Sequence, residues 1–197
     1  AHSGNDCIFS KSYYTIDGGV IVDEAHFGQE DSQAITVPYP FNSARDLQKH
    51  CKDTGLSLSG LVMQNELALH SKAEISAHFA AIWGVMRAGI ERGINTEGLL
   101  PGPMKVPRRA AALRRMLVST DKNNSDPMMV VDWINMYALA VNEENAAGGR
   151  VVTAPTNGAC GIIPAVLSYY DKFIRPVNEN SYSRYFLVSG VIGALYK

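Results

Sequence analysis

The chain has 197 residues, 46% of them hydrophobic, and a formal net charge of -1 from 18 Lys and Arg against 19 Asp and Glu. That length and composition support one sizeable core, hence one domain or one domain with an appendage, and exclude a disordered chain. The near-neutral balance excludes a general electrostatic attraction to nucleic acid or to an anionic membrane, so no nucleic-acid or membrane partner is expected. Three cysteines, Cys7, Cys51 and Cys160, have no paired spacing, which argues against a disulfide-built secreted domain and for a reducing cytoplasm. No signal peptide and no bilayer-length apolar run is visible, and a soluble protein is expected.

Cys7 to Val22 reads as a β-hairpin or edge pair. Ile8, Phe9, Tyr13, Tyr14 and Ile16 favour strand, Asp17-Gly18-Gly19 supplies a turn, and Val20-Ile21-Val22 returns. Lys11 and Ser12 interrupt it with polarity, as an edge guard would. Asp23 to Asn42 reads as loop, with His26 on the surface and Pro38 and Pro40 bracketing Tyr39. Residues 1–42 are therefore expected to form a hairpin and linker ahead of a helical domain spanning 43–197.

The helical pattern starts at Ser43, a cap for a helix that carries Leu47 and Cys51 and ends at Gly55. A second helix follows Ser57 and holds Asn65 and Glu66 near its middle. Ser71-Lys72-Ala73-Glu74 has the form of a capping box and opens a third helix, expected over Ile75 to Arg92 and stopped by Gly93. His70 and His78 read as cap and surface residues. Ile94 to Pro107 is a Gly/Pro-rich connection, either a rigid link or part of a site. Lys105, Arg108, Arg109, Arg114 and Arg115 then make a basic cluster, read as the solvated side of a helix.

Asp126-Pro127 predicts a capped start for a helix through Val141 that is apolar on most sides and therefore central. Its far end, Asn142 to Arg150, turns abruptly polar and small. Neighbouring residues on a helix point about 100° apart, so at most one of Glu143 and Glu144 is expected to face a pocket. The Gly148-Gly149 pair stops the helix.

Val151 to Pro164, Val-Val-Thr-Ala-Pro-Thr-Asn-Gly-Ala-Cys-Gly-Ile-Ile-Pro, is the stretch around which the chain is organised. Branched apolar residues lead into a turn, and a helix expected over Gly161 to Phe173 follows, with Pro164 in its first turn. Cys160 thus falls at a helix N-terminus, where unpaired N–H groups and the helix dipole favour a thiolate. Three readings of it stay open at this level: buried structural thiol, metal ligand, or nucleophile. The last wants a histidine base, and no histidine follows His78. A final helix, Tyr182 to Lys197, starts at Asn180 or Ser181. The predicted fold class is mainly α, a bundle-like helical domain with a small N-terminal β-hairpin.

Several of these blocks occur together in one order: Ser10 to Glu24, Met63-Gln64-Asn65-Glu66, Arg92 to Arg109, Asn142 to Arg150, and Thr153 to Pro164. In this the chain closely resembles the bacterial iron–sulfur L-serine dehydratases, in the part holding their helical catalytic domain. The resemblance implies deamination of L-serine to pyruvate and ammonia without pyridoxal phosphate, using a four-iron, four-sulfur cluster held by three cysteines with one iron open to substrate. Cys160 matches the first of those cysteines. Asn157 and Gly158 become candidates for meeting the substrate carboxylate, with Thr156, Lys11, Ser12, Asn65 and Glu66 behind them.

The sequence also departs from the family pattern. The other two cluster cysteines lie downstream of the Gly193 to Lys197 match, and the Ser-Ser-Ser-His-Thr motif lies upstream of Ala1. Cys7 and Cys51 match neither ligand position. The expectation is a fragment that binds no cluster and is inactive alone, from an intact enzyme that is a homo-oligomer. The competing readings are a non-catalytic helical module that docks a partner chain, and a pyridoxal-phosphate lyase. The second lacks a lysine near the Asn157 loop before Lys172.

Overall fold

The computed structural model describes residues 2–3, 6–7, 9–16, 20–28, 36–120, 126–153 and 156–196. Two units separate, one running to Thr36 and a helical one from Val37 to Tyr196. In the first, β1 (His2–Ser3) pairs antiparallel with β2 (Asp6–Cys7), and β3 (Tyr13–Ile16) with β4 (Val20–Asp23). The β3–β4 register, Tyr13 opposite Asp23 and Ile16 opposite Val20, is the expected hairpin, shorter than the sequence suggests because Phe9 to Ser12 make no ladder. Its turn, residues 17–19, and Ile8 lie outside the described residues.

The helical unit holds seven α-helices among the described residues, and the protein is mainly α. Helix α1 (Ala44–Thr54) is capped by the Ser43 hydroxyl, which accepts the Asp46 N–H, and is closed by Gly55 in the left-handed region at φ 71°. The Ser57 hydroxyl caps α2 (Leu58–Leu67). The capping box between Ser71 and Glu74 starts α3, which runs over Lys72–Asn95. The expected stop at Gly93 is corrected. This glycine is buried inside the helix because the backbone of α5 (Met129–Ala146) passes against it, and a Cβ there would lie 2.3 Å from the Ala140 carbonyl oxygen. Helix α4 (Ala110–Thr120) follows the Gly/Pro connection, which is folded on itself by Leu100 N–H to Val106 O and Arg108 N–H to Gly98 O.

Helix α5 starts later than Asp126-Pro127 suggests, because Asp126 caps the Met128 N–H and leaves the first helical turn to begin at Met129. As expected it is central, packing on α3, α4 and α6 (Ile162–Phe173). Helix α7 (Glu179–Ala194), capped by the Asn178 side chain, packs on α2 and α3; it starts ahead of the Asn180 or Ser181 reading because Asn178 accepts the Ser181 N–H.

The largest core cluster lies where α3, α4, α5 and α6 meet, with Ile90, Ala110, Met136, Ala140 and Ala165 among its buried members. Complete burial of Met136 contributes roughly 1.5–3 kcal/mol of transfer free energy. A second cluster joins Leu47, Leu61 and Val62 to Leu187 and Val191, with Cys51 packed at its edge, as its place beside the α1 apolar face suggests. No helix of the described residues is long and apolar enough to cross a membrane.

Candidate functional site

Cys160 sits just ahead of α6, after a single 3-10 turn over Asn157–Ala159. Small residues set this geometry. Gly161 follows the cysteine where a Cβ would lie 2.7 Å from the Ala138 carbonyl oxygen, so the loop lies directly on the α5 backbone. Asn145 of α5 donates from Nδ2 to the Asn157 carbonyl at 3.4 Å, and Pro164 in the first turn of α6 is wholly buried. Thr156, Asn157 and Gly158 stay exposed beside the buried thiol.

The thiol itself is 2% exposed, and its Sγ–H faces Asn142 Oδ1 at 3.8 Å. Burial raises its pKa above the ordinary cysteine value, with a backbone hydrogen bond opposing. The expectation of easier ionisation is therefore corrected for the chain as it stands. The helix N-terminus is in place, but withdrawal of the sulfur from water outweighs it.

The end of α5 holds the residues that sequence reasoning missed. Glu143 and Glu144 are both buried, at 5% exposure each, and they serve different neighbours, as their 100° separation requires. Glu143 Oε1 accepts the backbone N–H groups of Arg109, at 2.6 Å, and Ala110, at 3.2 Å, and so caps the start of α4. Its Oε2 is buried without a hydrogen-bond partner among the described residues. Glu144 receives Arg92 Nε at 2.8 Å and Arg108 Nη1 at 3.0 Å. Burial alone would raise the Glu144 carboxyl, but the bonds from Arg92 and Arg108, with their charges, hold it below its ordinary value.

The basic cluster is corrected at Arg108, while Lys105, Arg109 and Arg115 are exposed as expected. Arg108 is buried in this pair instead of lying on a solvated face, while Arg115 pairs with Glu97 and Arg114 donates to Asn95 at 3.1 Å. The sequence signal for the α5 end is its abrupt change from apolar to polar residues, but nothing local names the partners.

Asn65 and Glu66 lie elsewhere in the helical unit. Asn65 is 6% exposed and is spent on the backbone of Tyr39, accepting its N–H at 2.9 Å and donating to its C=O at 2.8 Å. Glu66, half-buried next to it, lines a groove with His70, Glu74 and His78. Both sit on α2, which packs on α1, α3 and α7, whereas the Cys160 loop rests on α5. In the N-terminal unit, Lys11 pairs with Asp23 at 3.0 Å, which raises the Lys11 pKa, and Ser12 is exposed. His26, exposed as expected, also bonds Asp23; these two partners, His26 first, bring the Asp23 carboxyl down to about 2. Among the described residues no three His, Cys, Asp or Glu side chains converge to hold a metal ion.

Fold and site together define an all-helical domain that carries one buried thiol at the head of a helix, beside a set of polar side chains fixed at the junction of α3, α4 and α5. The chain belongs to the serine dehydratase alpha chain family, whose model matches residues 53–197. It is 72% identical over its whole length to L-serine dehydratase 2 and 66% to L-serine dehydratase 1, both of Escherichia coli (strain K12). A more distant relative, the L-serine dehydratase of Streptomyces coelicolor, is 46% identical over 96% of this chain. The chain spans 43% of the length of the two Escherichia coli relatives and 42% of the Streptomyces one.

Proposed function

We propose that this chain is part of a longer L-serine ammonia-lyase that converts L-serine to pyruvate and ammonia in the cytoplasm, as a homo-oligomer. The observation that carries the reading is identity of 72% and 66% to two L-serine dehydratases over the whole chain. The reaction removes the α-proton and the β-hydroxyl; the resulting enamine tautomerises and hydrolyses to pyruvate with release of ammonia. Hydroxide is a poor leaving group, and a four-iron, four-sulfur cluster in the longer enzyme, with Cys160 as one of its ligands, would supply Lewis acidity for its departure.

Among the described residues no set of side chains fits that cluster. Cys160 is a single buried thiol with an amide oxygen, not a second sulfur, as its neighbour, and Cys51 packs in another cluster. In this reading Cys160 is one of three thiolate ligands, and the chain alone holds no cluster and has no activity. The buried, water-poor setting of the thiol suits a ligand that is deprotonated only when metal binds. Asn157 and Gly158, exposed at the mouth of the loop, meet the substrate carboxylate through amide and backbone N–H groups, with Thr156 beside them. Asn65 and Glu66 on α2, and separately Lys11 and Ser12 of the N-terminal unit, are weaker candidates for substrate recognition; of these Asn65 acts through the Tyr39 segment that it already holds.

The test is anaerobic reconstitution with iron and sulfide of the longer enzyme, its Cys160→Ala variant, and this chain, read by iron content, visible absorbance and pyruvate formation from L-serine. A cluster and activity in the longer enzyme only, both lost in the variant, is the expected result. A stoichiometric cluster in this chain, or an unaffected Cys160→Ala enzyme, overturns the assignment.

A further inference from the structure

The chain has two tryptophans, Trp83 and Trp133, and both line one cleft of about 310 Å³ among α3, α4, α5 and α6. Its apolar wall also includes Ile90 and Met136. Charged groups of both signs surround that wall: Arg87 and Glu91 from α3, Arg114 from α4, Asp171 and Lys172 from α6. Among the described residues none of these five forms an ion pair. Asn95 stands between two of them, donating to Glu91 Oε1 at 2.7 Å and accepting from Arg114 at 3.1 Å. Lys172 Nζ lies 5.1 Å from the Trp133 ring centroid, and Asp171 accepts the Val177 N–H at 2.6 Å.

Two further features single out this cleft. Trp133 is 3% exposed, yet its Nε1–H has no hydrogen-bond acceptor among the described residues. A buried donor left unpaired costs about 1–3 kcal/mol and wants an explanation. The Tyr137 hydroxyl faces the same charges. Burial pushes it up to about 12, Arg114 opposes, and Asp171 and Glu91 add to the rise.

We propose that this cleft binds a free α-amino acid with an apolar side chain. A dipolar ligand answers both sets of charges at once. Its carboxylate is matched by Arg114, Lys172 and the unpaired Trp133 Nε1–H, its ammonium by Glu91 and Asp171, and its apolar side chain by Trp83 and Ile90. A ligand with one charge leaves the other set opposed or unanswered. The volume is at the lower end of the range typical of small-molecule sites, roughly 300–1,000 Å³, and it leaves room beyond a side chain as small as that of serine. The site is separate from the Cys160 loop, and binding there does not depend on the serine reaction.

Because both tryptophans line the cleft, their emission reports on it alone. The chain is titrated with L-leucine, and in parallel with isocaproate, which lacks the ammonium, and isoamylamine, which lacks the carboxylate; equilibrium dialysis with labelled L-leucine reads occupancy independently of emission. Saturable binding of L-leucine is expected, with both analogues at least about tenfold weaker, and with Lys172→Met and Glu91→Gln each weakening L-leucine about tenfold. Both substitutions change cleft-rim charges whose backbones stay helical, so the fold is kept. Absence of saturable binding by dialysis up to about 10 mM L-leucine, equal binding of the single-charge analogues, or unchanged binding in both variants overturns the proposal.

Discussion

Gly93→Ala adds one methyl group at the crossing of α3 and α5, and the structure gives its consequence in distances. The new Cβ would stand 2.3 Å from the Ala140 carbonyl oxygen, 2.7 Å from its carbon and 2.8 Å from its Cα. All three are backbone atoms of the central helix, so no rotamer change relieves the clash. Ordinary contact begins at 3.4 Å, which leaves the helices about 1.1 Å too close at this point. Overpacking of this kind costs about 1–3 kcal/mol, and the rigid obstacle places Gly93→Ala at the upper end. Alanine returns about 1 kcal/mol through better helix propensity, so the net loss is about 2 kcal/mol. Gly84 is the internal control. It lies in the same helix, and a Cβ added there would have nothing within 4 Å, so Gly84→Ala should gain about 0.5–1 kcal/mol. Urea unfolding followed by far-UV circular dichroism should therefore move the two midpoints in opposite directions, a gap of about 3 kcal/mol at unchanged slope. Equal midpoints for the two variants, or a Gly93→Ala protein as stable as its parent, would refute the packing argument.

The Glu144 carboxyl, held below its ordinary value by Arg92 and Arg108, gives stability that is present above the unfolded-state value of 4.5 and is lost as pH falls through the lower folded value. Glu144→Gln should thus cost about 2–4 kcal/mol at neutral pH, below the full range for a buried pair because Arg92 is 44% exposed, and the gap to the parent should narrow in acid; a gap independent of pH would contradict the ion-pair assignment. Asn65→Ala removes both bonds to the Tyr39 backbone and should lower the unfolding free energy by about 1–3 kcal/mol, measured by the same denaturation. An unchanged midpoint there would show that the Tyr39 anchor contributes nothing.

Where the fold is written in local chemistry, the sequence can be read directly. Ser43, Ser57 and Ser71 cap the helices that their spacing announces, Gly55 closes α1, and the Ser71–Glu74 box forms with both reciprocal bonds. Gly93 fails as a stop signal for a physical reason. A glycine that ends a helix and one that admits a neighbouring backbone look alike until the neighbour is known. The Cys160 thiol shows the same limit for a site. Its position at a helix N-terminus is local and legible, but its ionisation depends on burial against α5, which is distant in sequence. Arg108 reads as solvated charge because its carboxylate partner lies 36 residues away.

The stretch Asn142–Asn145 explains why the α5 end is so fully engaged. Four consecutive helical residues sweep through about 300°, and on a surface helix at least one of them would face water. Here each holds a different neighbour: Asn142 the Cys160 thiol, Glu143 the first turn of α4, Glu144 the Arg92 and Arg108 guanidinium groups, and Asn145 the Asn157 carbonyl. The last turn of α5 is therefore enclosed by the thiol loop, the α4 entrance and the end of α3. A rotation of that turn by one residue, about 100°, would put Asn142 where α4 needs a carboxylate and Val141 at the thiol in one direction, or Glu143 at the thiol and Asn145 at the Arg92 and Arg108 guanidinium groups in the other. The Gly148 left-handed turn, at φ 76°, fixes where the helix must stop and so guards this register. Thiol position and α4 position are in this way set by one helical register, which makes the end of α5 the part of the scaffold on which the geometry at Cys160 depends.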